Sequence, residues 1–402
     1  MRHLELHIIQ SVPVACLNRD DLNSPKTAVF GGVQRARVSS QCWKRAIREM
    51  AKEVDSSLFR GNRSRRMVSE LANRIEKKGA RKDIAVIIAE QVANVVETLD
   101  SKTDGDGYKK IKTLMFFSDA EYEAIANAVT DQIKASAERV SNSASVLEIS
   151  KESLRRINDE NQQTAAKKDL DKLEKELEKD KKALGKALGD KSIRDAIKSV
   201  QLKDAADIAL FGRMVANDHS LTVEAAAMFS HALTTHKANN EIDFFAAVDD
   251  LQPKGESGAG MTSTLEFNSG TYYRFAALNL DMLADTDHLA TMTKEERQHV
   301  VRTFVEATIR SIPGARKNTM NGNVLPSYVL GIVREKGHPI QLVNAFETPI
   351  RQSQGYVGKS IELLQSEYAK LKDIWGIEAI HDAAIPDVSM KEFLDGMVKY
   401  VI

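Results

Sequence analysis

The chain has 402 residues with 42% hydrophobic and 28% charged side chains, and its 57 Lys and Arg residues balance its 57 Asp and Glu residues. This composition is typical of a globular protein and argues against a disordered chain, and no apolar run is long enough to span a bilayer. The N-terminal residues alternate polar and apolar side chains instead of forming a secretory signal, so we expect a cytoplasmic protein without membrane contact. The zero net charge, taken alone, argues against a nucleic-acid binder.

The sequence lacks the common motifs for catalysis, metals and cofactors. Its two cysteines, Cys16 and Cys42, form no CxxC pair and have no histidine at zinc-binding spacing. A phosphate-binding loop, a nucleophile elbow and an HExxH motif are also missing. The sequence therefore predicts no metal site and no cofactor, and a protein that is not an enzyme.

Two strands that flank a loop are predicted at the start of the chain. Residues His3–Gln10 alternate apolar and polar side chains, which is typical of a half-buried strand. A loop follows to about Pro25, and alternation resumes over Val33–Val38. Because alternate side chains of a strand share a face, we expect Arg35 and Arg37 to lie together on the same side of this second strand.

A stretch without acidic residues runs from Leu22 to Arg48 and ends in an amphipathic helix. Ser39 or Ser40 is a suitable N-cap for this helix. Lys44 and Arg48 lie one turn apart on its outer face, near a helix N-terminus whose backbone N–H groups favour phosphate. The local charge therefore predicts a surface that binds a nucleic-acid backbone. The basic residues of the stretch are Lys26, Arg35, Arg37, Lys44, Arg45 and Arg48.

Helical patterns dominate the middle of the chain and strand patterns dominate its second half. An inserted helical subdomain is predicted before about residue 200, with a protruding helical hairpin around Lys167–Leu188. The glycine-rich segment Pro253–Ser263 predicts a flexible tip between two strand-like arms. Helix starts are predicted at Thr293, which opens a capping box, and at Ser389. The predicted strands are Asp207–Val215, Glu241–Leu251, Thr271–Leu280 and Val324–Glu335. Together these patterns predict the α+β class.

Several stretches have distinctive sequences that occur in a fixed order. They are Cys16–Asn23 continuing through Lys26, Phe30–Gly32, Arg35, Arg37 and Val38–Gln41 to Lys44–Arg45; Asp207–Met214; His231–His236 continuing to Asp243–Leu251; and Ser311–Arg316. Together they resemble the backbone subunit (CasC) family of the type I-E CRISPR Cascade complex. The resemblance covers both ends of the predicted sheet domain.

The resemblance implies a fold and an assembly. The fold is an RRM-like (ferredoxin-like) palm in residues 1–55 and 200–402, with a helical fingers insertion at 56–199 and a long β-hairpin thumb at about 238–269. Subunits of the family oligomerise along the CRISPR guide RNA (crRNA), kink it at regular intervals and display it for pairing with target DNA. The implied partners are crRNA, target DNA through the guide, copies of the chain itself, and the large, small, 5′-handle-capping and repeat-processing subunits of Cascade.

The same resemblance implies the residues of the RNA site. Met214 and Phe245 would be apolar wedges at the kink of the guide. The segment after Gly31–Gly32 is less basic than is usual in the family, so affinity would depend more on the arginines that follow. The implied RNA-binding residues are Arg19, Asn23, Lys26, Arg35, Arg37, Ser39, Ser40, Gln41, Lys44, Arg45, Arg48, Arg213, Arg316 and Lys317.

Two alternatives stay open at this point. Related type III backbone subunits cut RNA with an aspartate in a comparable loop, and Asp20 or Asp21 could hold a metal ion here. The neighbouring Arg19 and Asn23 favour a structural role for this loop. The other alternative is a protein scaffold without nucleic acid, which fits the neutral net charge. RNA affinity that falls steeply with salt would separate an RNA binder from such a scaffold.

Overall fold

The computed structural model describes residues 1–156, 160–215, 217–247, 250, 261–351 and 354–402. Its packing divides the chain into two units. The sheet unit comprises Met1–Phe59, Ala226–Thr286 and Met292–Ile402. The helical unit comprises Arg60–Ala225 and Asp287–Thr291.

The secondary structure alternates between strands and helices along the chain. The strands are β1 (His3–Ala15), β2 (Thr27–Phe30), β3 (Val33–Val38), β4 (Asn62–Ser64), β5 (Leu99–Thr103), β6 (Lys109–Ile111), β7 (Met115–Phe117), β8 (Ala227–Phe229), β9 (Ala232–Thr234), β10 (Glu241–Ala247), β11 (Met261–Asn279), β12 (Tyr328–Arg334) and β13 (His381–Ile385). The helices are α1 (Ser40–Val54), α2 (Met67–Lys77), α3 (Lys82–Val96), α4 (Asp119–Asn127), α5 (Asp131–Arg155), α6 (Glu160–Leu188), α7 (Asp190–Ser199), α8 (Ala206–Phe211), α9 (Leu280–Leu283), α10 (Lys294–Arg310), α11 (Val357–Trp375) and α12 (Met390–Val398), with 3₁₀ turns at His219–Leu221 and Val343–Phe346.

One large antiparallel sheet organises the sheet unit. Its strand order is β13-β12-β1-β11-β9-β3-β2, with β8 and β10 also paired to β11. The four strands β12-β1-β11-β9 have the order of a βαββαβ fold, because α1 lies between β1 and β9 in the chain and α10 lies between β11 and β12. These two helices pack on each other. The predicted α+β class is confirmed, and the topology is consistent with an RRM-like palm.

The prediction of a half-buried first strand is wrong, because β1 is buried on both faces. Apolar Leu4, Leu6 and Ile8 are at most 1% exposed, and so are His3 and His7 on the opposite face. The residues around Tyr273, Leu342 and α11 cover that second face. The strand also runs to Ala15, past its predicted end at Gln10, because it keeps pairing with β11.

Polar side chains on the second face of β1 satisfy one another. Glu5 accepts from Arg334 at 2.9 Å and contacts the His3 Nε2 atom at 2.9 Å and the His7 Nε2 atom at 3.4 Å. Burial alone would raise the pKa of Glu5, but hydrogen bonds from His3 and His7 and the nearby positive charges lower it to about 2. The alternation of the sequence is thus a buried charge network and not a solvent face.

Strand β11 is long enough to serve two structures. Its second half, Thr271–Asn279, is buried within the sheet. Its first half pairs with β10 from Glu241↔Phe267 to Ala247↔Met261, and these two segments form the thumb hairpin. The predicted flexible tip lies outside the described residues up to residue 260, as do positions 248, 249 and 251 of the predicted Glu241–Leu251 strand.

The helical unit has its own core, built from α2 to α7 and the following segment. Val215 and Leu221 belong to this core, so the unit runs past the predicted fingers boundary at residue 199 to Ala225. The strand predicted at Asp207–Val215 is wrong. The segment begins as helix α8, because a short apolar run buried on all sides carries no period that separates helix from strand.

Other sequence predictions agree with the structure. Val33–Val38 is strand β3, and the predicted helix starts at Thr293 and Ser389 are both capping boxes. Lys167–Leu188, predicted as a helical hairpin, lies within the single helix α6, and the hairpin is formed by this helix with α5. Among the described residues, no helix has the length and apolarity needed to cross a membrane.

Candidate nucleic-acid interface

The loop between β1 and β2 is closed by its own hydrogen bonds. The Lys26 amide donates to the Asn18 carbonyl at 2.8 Å, and Arg19 forms an isolated bridge with Pro25. Asn23 has a φ of 66°, a left-handed conformation that asparagine tolerates better than most residues. Arg19 and Asn23 are exposed, and Lys26 is half-buried. The loop therefore presents polar side chains on a fixed backbone.

Asn18 ties this loop to the start of α1. Its side-chain oxygen accepts from the Ser39 amide at 2.9 Å. Of the two predicted candidates, Ser39 is the N-cap, and its hydroxyl accepts from the Cys42 amide. The Ser40 amide donates to the His231 Nδ1 atom at 3.0 Å, and Gln41 is exposed. The first turn of α1 has no acidic residue, which suits an approaching anion.

Three cations follow on the outer side of α1. The Lys44 ammonium lies 5.3 Å from the centre of the Phe229 ring. Arg45 is exposed and pairs with Glu49 at 2.8 Å, while Arg48 is half-buried one turn after Lys44. An exposed pair such as Arg45–Glu49 contributes little to stability, so that arginine can exchange partners at low cost.

The segment from Ser311 adds a further basic group near the loop. Burial raises the pKa of the Cys16 thiol, and the charges of Arg316 and Arg19 oppose that rise. The segment packs on the end of β1, since a Cβ atom at Gly322 would lie 3.2 Å from the Ala15 Cβ atom. Arg316 has a φ of 54°, and Lys317 is exposed. The basic surface defined by these segments comprises Arg19, Lys26, Arg37, Lys44, Arg45, Arg48, Arg316 and Lys317.

Two arginines of this surface have buried nitrogen atoms with no hydrogen-bond partner among the described residues. They are the Nε atom of Arg37 and the Nη1 atom of Arg316. Buried donors without a partner are rare in folded proteins, and each one calls for an explanation such as a missing acceptor. Both atoms are buried, so they are closed to an approaching phosphate and add nothing to the basic surface.

Arg35 differs from Arg37 in burial, although the two residues lie on the same side of β3. It is fully buried, and its guanidinium donates to the carbonyls of Phe30, Thr234 and Phe346. These bonds join the β2–β3 hairpin to β9 and to the segment that covers the second sheet face. The guanidinium of Arg35 is therefore used by the fold and is not presented to a phosphate.

Arg213 is also buried, whereas its neighbour Met214 is exposed. The Arg213 guanidinium pairs with Glu121 at 2.6 Å, and its backbone pairs in both directions with Val223. Val215 on the other side is fully buried. Met214, which is 78% exposed, is thus an apolar side chain projected by two anchored neighbours. This is the support that an inserted wedge requires.

Phe245 lies in the described part of the thumb hairpin and is partly exposed. It faces Ser263 across the hairpin, and the alternate position Phe244 points to the opposite face and is 66% exposed. A two-stranded ribbon with apolar groups on both faces has little stability by itself. Phe244 and Phe245 therefore do not pack in a hydrophobic core within the hairpin.

A polar cluster at the base of the thumb hairpin was not predicted from the sequence. Tyr272 donates to the Asn268 side chain, which donates to the Asn240 side chain, each at 3.2 Å. Asn240 donates in turn to the Pro25 carbonyl, next to Lys26. The cluster links the thumb hairpin to the loop of the basic surface. The one sequence signal for this cluster is the pair of asparagines, Asn240 and Asn268. Whether they meet depends on the register of β10 and β11, which the sequence does not give.

The loop aspartates have structural partners. The Asp20 Oδ1 atom accepts from the amides of Leu22 and Ser24 at 2.9 and 3.0 Å, so this carboxylate closes the turn. Asp21 is exposed. Within the described part of the chain, no group of three or more His, Cys, Asp or Glu side chains is arranged to hold a metal ion.

Comparisons with known proteins agree over the whole chain. A solved chain described as "CRISPR RNA-guided surveillance complex, pre-nicking" is 27% identical with a TM-score of 0.75, and the match covers 100% of both chains. A second, from a "CRISPR RNA-guided surveillance complex", is 26% identical with a TM-score of 0.67 and 99% coverage of each chain. No curated protein matches the chain. The CT1975-like protein family matches residues 4–394, and the chain therefore belongs to the CT1975-like protein family.

Proposed function

We propose that this protein is the guide-RNA-binding backbone subunit of a CRISPR surveillance complex of the type I-E Cascade class. It oligomerises along the crRNA in the cytoplasm, kinks the guide at regular intervals and displays it for pairing with target DNA. Its other partners are the remaining subunits of such a complex. The similarity to two solved surveillance-complex chains over their full lengths supports this assignment.

The basic surface is the observation that carries the proposal. It gathers cations from four segments, which are the β1–β2 loop, β3, α1 and the segment after Ser311, and the first turn of α1 has no acidic residue. Point charges and backbone amides bind phosphates without reading bases. A guide scaffold needs this property, because sequence choice in such complexes is delegated to base pairing.

The test is the RNA content of the chain purified with its neighbouring operon products. Lys44→Glu with Arg48→Glu should abolish the co-purified RNA of guide length, because two phosphate-facing charges reverse. The matched control is Lys391→Glu with Lys399→Glu, two exposed lysines outside the basic surface. Wild-type protein that assembles without RNA, or equal RNA loss in both variants, contradicts the proposal.

We also propose that the subunit does not cut RNA. Asp20 is engaged in closing its own turn, which explains the carboxylate without a catalytic role. Asp21→Asn and Asp20→Asn should leave target binding and interference unchanged in the assembled complex. Guide-dependent RNA cleavage by the complex that either change abolishes would establish the type III alternative instead.

A further inference from the structure

His236 lies between the end of β9 and the start of β10, where the chain leaves the sheet and enters the thumb hairpin. Its side chain is buried, with the residue only 6% exposed. The pairing of β9 with β11 ends at Tyr272↔Thr234, and the pairing of β10 with β11 begins at Glu241↔Phe267. His236 therefore lies at the junction between the sheet and the thumb hairpin.

Both ring nitrogens of His236 have a backbone partner, and the two partners define one tautomer. The Nδ1 atom lies 2.8 Å from the Lys237 carbonyl oxygen, which can only accept, so Nδ1 carries the proton. The Thr271 amide donates to the Nε2 atom at 3.1 Å, so Nε2 carries none. The imidazole is therefore neutral, and its bare nitrogen holds an amide of β11 at the junction.

Neighbouring residues fix the position of this ring. The Tyr356 ring stacks on it with the ring centres 3.7 Å apart and an angle of 12° between the planes. A Cβ atom at Gly270 would lie 2.6 Å from the Thr234 side chain and 3.3 Å from the His236 Nε2 atom, so glycine is required for this close approach. The imidazole is thus held by contacts with β9, β11 and the start of α11.

The surroundings of the ring favour its neutral form. Burial and the positive charge of Arg35 lower the pKa of His236 from its ordinary value of 6.5, and the hydrogen bond to the Lys237 carbonyl opposes that shift. Among the described residues that contact the ring or act on its pKa, the charged or titratable ones are Arg35 of β3, Tyr356 and Lys237. The contacting residues of β11 carry no charge.

A second proton would remove the contact with β11. An imidazolium has an N–H group at both nitrogens, so Nε2 would face the Thr271 amide with donor against donor. We propose that neutral His236 positions the thumb hairpin by holding the Thr271 amide, and that protonation of His236 loosens the hairpin at its base. His236 acts through Thr271 on the placement of the hairpin, so it is a positioning residue.

The effect of pH has a definite sign. Because the pKa of His236 is lowered in the fold, a state in which the base of the hairpin is open takes up the proton first. The contact with Thr271 therefore contributes fully above about pH 6.5. Its contribution is lost as the pH falls through the lower pKa that His236 has in the fold.

The first measurement is NMR of the full chain with ¹⁵N-labelled histidine. His236→Gln identifies the His236 signals among those of the nine histidines. At neutral pH these signals should be those of a protonated Nδ1 and a bare Nε2, and their titration gives the pKa of His236 in the fold. A protonated Nε2 at neutral pH would overturn the proposal, and this result does not depend on the folding of any variant at His236 except for the assignment.

The second measurement is hydrogen exchange in two variants that each keep one half of the chemistry of the ring. His236→Gln places an oxygen where Nε2 lies, which can accept from the Thr271 amide but does not titrate. His236→Asn can donate to the Lys237 carbonyl but is too short to reach Thr271. The control is His219→Gln, the same change at an exposed histidine of the helical unit. Denaturant unfolding checks that all three variants fold.

At neutral pH, amides of the thumb hairpin should exchange about two- to tenfold faster in His236→Asn than in wild type, since one hydrogen bond is lost. His236→Gln should exchange like wild type. As the pH falls, exchange corrected for its intrinsic rate should become faster in wild type and His219→Gln, in step with the NMR titration of His236. It should stay constant in His236→Gln.

Wild-type exchange rates in His236→Asn would overturn the proposal, and so would the same pH dependence in wild type and His236→Gln. A further readout rests on the proposed function. In the complex with its guide, His236→Asn should weaken the periodic exposure of flipped nucleotides while the RNA stays bound. If the chain carries no guide, this readout is lost, whereas NMR and hydrogen exchange still decide the role of His236.

Discussion

The two halves of β11 show how one strand can serve stability and function separately. Thr271–Asn279 has neighbours on both sides in the sheet and is buried throughout. The half from Met261 to Phe267 pairs with β10 in the thumb hairpin, and its apolar side chains are partly or largely exposed. How much an apolar side chain of β11 contributes to stability therefore depends on its neighbours and not on its residue type. Matched substitutions in the two halves can test this difference.

The largest expected effect comes from a leucine substitution in the buried half. Leu278→Ala should lower the free energy of unfolding by about 2 to 5 kcal/mol, because Leu278 is fully buried and the change leaves a cavity. Leu265→Ala, in the thumb hairpin, should cost less than about 1 kcal/mol. Denaturant unfolding of both variants checks the contrast, and equal losses would mean that the thumb hairpin has a core of its own.

A substitution in β1, the strand that pairs with the buried half of β11, should have a pH-dependent effect on the free energy of unfolding. Glu5→Gln should cost about 3 kcal/mol at neutral pH, because the pKa of Glu5 in the fold is about 2 against an ordinary value of 4.5. A lowered pKa means that the carboxylate stabilises the fold above about pH 4.5 and that this contribution is lost as the pH falls toward 2.

Denaturant unfolding of wild type and Glu5→Gln at neutral pH and at about pH 3 measures how their difference in the free energy of unfolding depends on pH. The control is Glu335→Gln, since Glu335 pairs with Arg2 at the surface and such pairs contribute less than about 1 kcal/mol. A difference between wild type and Glu5→Gln that stays constant on acidification would show that the network holds Glu5 without favouring its charge.

An intermediate effect is expected at the junction of the two halves. Asn268→Ala should destabilise the fold by about 1 to 3 kcal/mol, because buried Tyr272 and half-buried Asn240 would each lose a hydrogen bond. Hydrogen exchange in the thumb hairpin should also become faster. Asn239→Ala, at an exposed neighbouring position, is the control. Equal hydrogen-exchange rates in the two variants would show that Asn268 does not stabilise the connection between the thumb hairpin and the loop.

The smallest effect on stability is expected at the thumb wedge. Phe245→Ala should change the free energy of unfolding by no more than about 0.5 kcal/mol, because the side chain fills no core. If the chain binds a guide as proposed, the periodic exposure of flipped nucleotides to chemical probes should be lost while the RNA stays bound. Phe244→Ala, on the other face of the hairpin, should keep the periodic exposure of nucleotides. If Phe244→Ala removes it and Phe245→Ala does not, Phe244 and not Phe245 is the wedge.

The sequence alone was sufficient for features that depend on local spacing. The N-cap at Ser39 or Ser40, the helix starts at Thr293 and Ser389, and strand β3 were all predicted, because caps and strand faces involve residues a few positions apart. The acid-free stretch that forms most of the basic surface is also a local property.

Only the tertiary structure decided which charged side chains reach the surface. Arg35 and Arg37 have the same period in the sequence, yet the segment near Phe346 buries Arg35, and α11 buries the polar face of β1. In both cases the covering residues come from more than 300 positions away in the chain. A local pattern cannot show whether a distant segment replaces water on a strand face, and that replacement determines whether an arginine binds its own backbone or remains available to a phosphate.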